Sequence, residues 1–220
     1  MKILALEFSS EHRSAAVLVT AESDERERSG TATHTYGRST PAFALIGRAL
    51  AEAGVNREQI ERIALGLGPG SATGIRTAIS IAQGWRLGRP VGLVGVSSLE
   101  CLAARLQAEG VRGLVQVVSD AQRHEFHVAA YHLDVAGPRL VEPLRLAPAD
   151  EVRQFIESGA RLFGPGVGAA LPGATEAFPE ALTLARLGAV LTVLPEDAHL
   201  DAIHLRQPAY AKAAPPASRP

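Results

Sequence analysis

The residues from Leu65 to Arg76 read Leu-Gly-Leu-Gly-Pro-Gly-Ser-Ala-Thr-Gly-Ile-Arg, and they constrain the fold more than any other stretch of the chain. The apolar run Ile63 to Leu67 enters this segment, and a charge-poor run, Thr73 to Leu87, leaves it. The pattern is a strand, a glycine-rich turn and the start of a helix. Gly68, Gly70 and Gly74 permit backbone angles and close approaches that a Cβ would block. Pro69 fixes φ, and Ser71 or Thr73 can accept a bond from a free N–H at the start of the helix. Such a junction can bind an anion, because a helix N-terminus presents N–H donors and partial positive charge; Arg76 would add a full charge. The spacing matches no nucleotide fingerprint, however. No Lys follows Gly74, and Gly68-x-Gly70-x-x-x-Gly74 departs from the dinucleotide pattern and lies far from the first strand. The residues by themselves favour a tight junction with glycines used for packing, with the anion site as the alternative.

At 220 residues and 46% hydrophobic, the chain suits one large domain or two small lobes. A formal net charge of −1, with no Lys/Arg cluster, provides no field to attract nucleic acid. Any RNA role must then be local or go through a partner. The single cysteine, Cys101, leaves no internal disulfide and no Cys-based metal cluster, and it fits a reducing compartment. The opening Met1 to Glu7 is too short and too soon acidic for a signal peptide. No apolar run reaches membrane-spanning length. The expectation is a soluble, cytoplasmic protein with no membrane partner.

In chain order, Lys2 to Glu7 and Ser14 to Thr20 predict a hairpin, with Glu22 to Arg28 as a loop and Thr31 to Tyr36 as an edge strand. Thr40-Pro41 predicts a helix with Thr as cap and Pro at the first helical position, closed by Gly54. Asn56 and Gln59 form a capping pair, and so do Ser97 and Glu100 ahead of a helix ending near Gly110. The pattern then restarts. Leu114 to Val118 and Glu125 to Leu133 repeat the opening hairpin, with Asp120 placed as Glu7 is. A strand over Leu140 to Leu146, a helix over Ala149 to Ser158, a short strand over Arg161 to Phe163 and a helix over Pro179 to Leu191 follow. This order predicts two similar α/β lobes, residues 1–110 and 111–205, with 206–220 as an Ala/Pro-rich, partly disordered tail.

Glu7 and Asp120, on the loop ends of equivalent strands, could hold a metal–nucleotide between lobes; the alternative is that each bonds local N–H groups. His124 and His127 fall on opposite faces of a strand, while His124 and His132 share a face but lie about 26 Å apart. His199 and His204 are separated by roughly 140° on a helix. None is a zinc pair. Gly70 to Gly74 does not match the nucleophile elbow of serine hydrolases, and Cys101 lies inside a predicted helix, where packing is its role. The residues predict no catalytic, cofactor-binding or metal-binding set in this chain.

Two helices are more informative. Thr73 to Trp85 carries only Arg76 as a charge, and Pro41 to Ala53 only Arg48 and Glu52. A helix apolar or small all round is buried on both sides. Either both lie inside a three-layer fold or their outer faces form a subunit interface. The candidate interface residues are Ile46, Ala49, Leu50, Ala53, Thr77, Ser80, Ile81 and Gly84.

Several of these segments together resemble a known family. Ile3 to Glu7, Leu67 to Arg76, Ala82-Gln83-Gly84, Leu87-Gly88 and Val94 to Glu100 are similar to the TsaB (YeaZ) family of bacterial tRNA threonylcarbamoyladenosine biosynthesis proteins, with Asp120-Ala121 and Pro208-Ala209-Tyr210 as later pieces. The resemblance is dense over residues 1–134. It implies a two-lobed actin-like ATPase fold of the sugar-kinase/heat-shock-70 superfamily. It also implies a non-catalytic scaffold in the complex that makes threonylcarbamoyladenosine at position 37 of ANN-decoding tRNAs. The implied partners are the catalytic relative TsaD and the ATPase TsaE, with self-pairing when alone and only indirect contact with tRNA. ATP, ADP and metal are implied for the partner subunits and no cofactor for this chain. The chain departs from the family pattern at Glu7 (usually Asp), Arg38 (His), Ala72 (Phe), Gln122 (Arg) and Ala211-Lys212 (Leu-Arg); the changes at Glu7 and Gln122 weaken a nucleotide site. The competing expectation is a free-standing small-molecule kinase or peptidase of the same superfamily.

Overall fold

The computed structural model describes residues 1–20, 27–35, 41–195 and 200–205. The opening strand Lys2–Glu7 (β1) pairs antiparallel with His12–Val19 (β2), which pairs with Arg28–Thr35 (β3) at the edge. Helix Ala42–Ala53 (α1) follows, then a 3-10 turn at Arg57–Gln59 and strand Arg62–Gly66 (β4), parallel to β1. Helix Ala72–Gly88 (α2) leads to Gly92–Val96 (β5), parallel to β4, and then to helix Ser98–Ala108 (α3).

The second half repeats the plan. Its elements are Gly113–Asp120 (β6), Glu125–Asp134 (β7), Gly137–Pro148 (β8), helix Ala149–Glu157 (α4), Leu162–Gly164 (β9), Thr175–Glu176 (β10) and helix Ala181–Val190 (α5). The two five-stranded sheets run β3-β2-β1-β4-β5 and β8-β7-β6-β9-β10. Adding five to each strand number of the first gives the second, so the duplication expected from the hairpins extends to the whole sheet.

Strand β1 is buried on both faces. Leu4 and Leu6 point toward α1 and α2, and Ile3 and Ala5 toward α5. The last helix of each half packs on the other half's sheet. Leu99, Leu102, Ala103 and Leu106 of α3 cover Val115, Val117 and Tyr131 of the second sheet. Ala181, Leu184 and Ala185 of α5 lie on Ile3, Ala16 and Ala64 of the first. The Arg105–Glu180 ion pair, 2.9 Å, links the two crossing segments. After α5 the chain returns along the first sheet: Leu194 N donates to the Leu93 carbonyl and Ile203 N to that of Leu67, each at 2.9 Å.

Local expectations are corrected in three places. Strand β3 begins at Arg28, earlier than expected, because each of its residues pairs with β2 although alternate side chains face solvent; Tyr36 lies outside the described residues. Helix α1 has Pro41 at its cap, not its first turn, with no side-chain cap; Thr40 and Arg38 lie outside the described residues. Ser97 caps α3 in position but makes no side-chain bond there; the neighbouring Ser98 hydroxyl serves the structure instead, as described below. Gly54 ends α1 in the left-handed conformation, φ 64°, and Asn56 with Gln59 forms the capping box. Residues 206–220, including Tyr210, Ala211 and Lys212, and most of the expected 22–28 loop are likewise outside the described set. Among the described residues no helix is long and apolar enough to cross a membrane.

Candidate functional site

The N-terminus of helix α2 and its outer face differ in how far they are covered. The N-terminus is closed on the β1–β2 turn. A Cβ at Gly70, whose φ is 152°, would lie 2.1 Å from the Ser9 carbonyl oxygen, and a Cβ at Gly74 would lie 2.0 Å from that of Phe8. Ser71 N donates to Ser9 O at 2.7 Å, and Ser71 Oγ accepts from Gly74 N at 3.3 Å. The glycine-rich turn therefore brings helix and hairpin backbones into contact, and Phe8 and Ser9 occupy the ground beside the helix start.

Glu7 is fully buried next to this junction. Ser9 N donates to its Oε1 at 2.9 Å and Ser98 Oγ to its Oε2 at 3.0 Å. Gly66 makes room for the carboxylate: a Cβ there would sit 1.9 Å from Oε2. Burial pushes the Glu7 pKa up, and the bonds from Ser9 and Ser98 oppose the shift. Asp120, at the equivalent end of β6, is exposed, and its Oδ1 accepts from Gln122 N at 2.7 Å. Both carboxylates bond local N–H groups, the blander of their two expected roles. Beyond Asp120, Gln122, Arg123 and His124 all have positive φ, 62°, 57° and 59°, so His124 belongs to a left-handed turn and not to β7.

The structure does not bring the other chemistry-bearing residues together. His127 Nδ1 lies 3.3 Å from Ser119 Oγ, and His12 stacks on Phe178 with centroids 5.2 Å apart. Cys101 is buried with its Sγ donating to the Glu180 carbonyl at 3.4 Å, and burial pushes its thiol pKa well up. Among the described residues no three His, Cys, Asp or Glu side chains gather as a metal site; His199 lies outside them.

The open surface is the outer face of α1 and α2. The two helices lie side by side on the first sheet and leave a groove of two adjoining clefts, about 660 and 740 Å³, that share Phe43, Gly84 and Trp85. Of the expected interface residues, Leu50, Thr77, Ser80, Ile81 and Gly84 line this groove, and Ile46 lines its floor while counting among the core. Ala49 and Ala53 do not belong to the outer face. Both are buried against β3, where Gly30 lets α1 approach so closely that a Cβ would lie 2.3 Å from Ala49 O. The buried stripe of α1 is Ala42, Leu45, Ile46, Ala49 and Ala53, an i, i+3, i+4, i+7 spacing. That spacing, applied to α1, puts Phe43, Gly47 and Leu50 on the opposite side, and so could have found Phe43, 77% exposed, which sequence reasoning missed. Trp85 and the exposed Leu87 were missed with it, whereas Gly88, which recurs with Thr77, Ser80 and Gly84 at helical spacing, lines the groove. At the far end of the groove Arg57 pairs with Glu58 at 2.6 Å, and the Arg89 guanidinium donates to the Glu58 carbonyl.

Two duplicated mixed sheets that exchange their last helices define a two-lobed α/β fold of the actin-like, sugar-kinase type. A model of the family described as TsaD, tRNA N6-adenosine threonylcarbamoyltransferase, matches residues 40–157. The chain is 32% identical over 128 residues to the tRNA threonylcarbamoyladenosine biosynthesis protein TsaB of Haemophilus influenzae, covering 58% of this chain and 52% of that one. Against TsaB of Escherichia coli it is 36% identical over 88 residues, 40% and 38% of the two chains. The solved structure of YeaZ from Pseudomonas aeruginosa superposes with a TM-score of 0.70 at 28% identity, covering 86% of this chain and 90% of that one. The chain belongs to this family, on its TsaB/YeaZ branch. It spans about half the length, or less, of the curated relatives it matches.

Proposed function

We propose that the chain acts in tRNA threonylcarbamoyladenosine biosynthesis as a non-catalytic subunit that supports the catalytic relative TsaD, docking through the α1–α2 face. In this reading the ATPase TsaE joins the same complex, the chain pairs with itself when alone, and nucleotide, metal and tRNA are handled by the partner subunits. The observation that carries the reading is the contrast along α2. Its N-terminus is packed on Phe8 and Ser9, beside a Glu7 carboxylate enclosed by Gly66 and Ser98, while its outer face, with Gly84 and Trp85, is open. The relatives named TsaB support the pathway.

The test is reconstitution. The tagged chain is expected to recover the catalytic relative from its own cells and to raise tRNA modification by that relative, while turning over no ATP alone. ATP hydrolysis by the pure chain, lost on Glu7→Ala or Asp120→Ala, would instead favour a free-standing enzyme of the superfamily.

A further inference from the structure

The segment after α5 finishes beside the start of α2. Leu200 is buried in the same cluster as Ile75 and Ala78 of α2, Ala202 packs against that cluster, and Ile203 N donates to the Leu67 carbonyl at 2.9 Å. Leu205, 38% exposed, is the last described residue. The chain is thus delivered to the α1–α2 side of the first sheet, at the end of α2 where Thr73 and Arg76 line the groove. Residues 206–220 follow, with Tyr210, the pair Pro215-Pro216 and no acidic residue. Proline-rich segments favour an extended conformation of low entropy and dock in grooves lined by aromatic rings. Phe43, 77% exposed, and Trp85 provide such rings here, and Gly47 and Gly84 leave the space between them free of side chain.

We propose that residues 206–220 lie back along this groove in the same molecule, with Pro215-Pro216 against Trp85, and compete there with any second chain. The lengths agree. Thr73 to Trp85 spans about 18 Å of helix, and about 10 Å more carries the chain over α2. Pro215 lies ten residues past Leu205, a reach of about 31 Å for an extended proline-rich chain. The cations Arg206, Lys212 and Arg219 then share the groove with Arg57, Arg76 and Arg89. Among the described residues its one lining carboxylate, Glu58, is paired with Arg57. The contact is therefore apolar, and like charge weakens it. A weak contact of this kind lowers the fraction of open grooves. It does not shut out a partner or a second copy, either of which covers far more of the face. The contact itself stands apart from the docking role proposed above; only its effect on binding rests on that role.

Trp85 is the sole tryptophan, so its fluorescence reports on the groove. Acrylamide quenching is measured on the full chain, on the full chain carrying Pro215→Gly and Pro216→Gly, and on a chain stopped after Leu205. Each is diluted until sedimentation shows a monomer and melted to show that it is folded. The wild-type chain is expected to protect Trp85, more so at high salt, where like charges are screened. Both altered chains are expected to lose the protection, and a synthetic peptide of residues 206–220 to restore it to the shortened chain. Self-association and binding of the catalytic relative are expected to tighten by about fivefold in both. Equal quenching in the three folded chains overturns the inference. So does wild-type protection that fades on dilution, which would assign the groove to a second copy. Protection that behaves as expected, with no binding of the catalytic relative by any of the three chains, leaves the contact standing and overturns the docking role alone.

Discussion

Ser98 Oγ donates to Glu7 Oε2 at 3.0 Å, tying the start of α3 to the end of β1. The same hydroxyl accepts from Gly68 N at 3.1 Å, and Ser98 N donates to Gly68 O at 2.7 Å. One serine therefore joins the glycine turn, the buried carboxylate and the helix that crosses to the second sheet. Ser98→Ala leaves the carboxylate and the Gly68 amide each short of a buried partner, a loss of about 1–3 kcal/mol per orphaned group. Denaturant unfolding is expected to show this loss with an unchanged m-value.

Glu7 also sets a pH dependence. Its folded pKa is raised above 4.5 by burial, so the folded chain holds a proton that the unfolded chain releases. The associated stability is full below the unfolded pKa and is lost as pH rises through the folded value. The other titratable group facing it, Cys101, has a thiol pKa raised in its turn and stays neutral through that range. Glu7→Gln removes the titration. The difference in melting temperature between Glu7→Gln and wild type is expected to grow in favour of the variant as pH rises above about 4.5. Parallel curves for the two proteins would show that Glu7 does not titrate in this window.

The sequence made much of this fold legible because burial leaves a periodic record. Lys2 to Glu7 and Leu114 to Val118 are readable as equivalent strands of a repeated hairpin, and the Leu65 to Arg76 junction as a tight strand-to-helix turn, since its glycines match neither the P-loop nor the dinucleotide spacing. Which surface covers which is not readable. The apolar stripe on α3 shows that Leu99, Leu102 and Leu106 are buried, but not that the second sheet buries them, because hydrophobic burial has no direction. For the same reason the outer-face expectation for Ala49 and Ala53 fails: an alanine fits a core and an interface equally well. Ser97 with Glu100 matches a capping box, but the bond that forms at that helix start belongs to Ser98 and reaches a residue distant in sequence.

Arg62 caps a helix from outside it. Its Nη1 donates to the carbonyls of Gly188, Ala189 and Leu191 at 2.5, 3.2 and 3.0 Å, at the negative end of α5. These carbonyls otherwise lack intrahelical partners. Arg62→Met keeps the stem and removes the charge, and is expected to cost about 1–3 kcal/mol. Amide exchange is expected to accelerate along α5 first, because the helix is held to the first sheet at this end. Unchanged protection in α5 would mean that packing of Leu184 and Ala185 alone anchors it.

The last prediction separates the two sides of α1 and α2. Ala49 is fully buried, with its backbone pressed against Gly30 of β3. Ala49→Arg puts a guanidinium where no water or partner reaches it, at a cost of about 3–5 kcal/mol, a large part of the total stability of a domain. Gly84 lies on the exposed face, and a Cβ there would have no neighbour within 4 Å. Gly84→Arg therefore extends into solvent and improves helix propensity. Circular dichroism melts are expected to show Ala49→Arg unfolded or strongly destabilised and Gly84→Arg as stable as wild type. In pull-downs the folded Gly84→Arg protein is expected to lose the catalytic relative, because its side chain fills the groove between Phe43 and Trp85. If folded Gly84→Arg still binds as wild type, the docking face lies elsewhere on the molecule. If Ala49→Arg melts as wild type, α1 is not packed on β3 as the Gly30 contact requires.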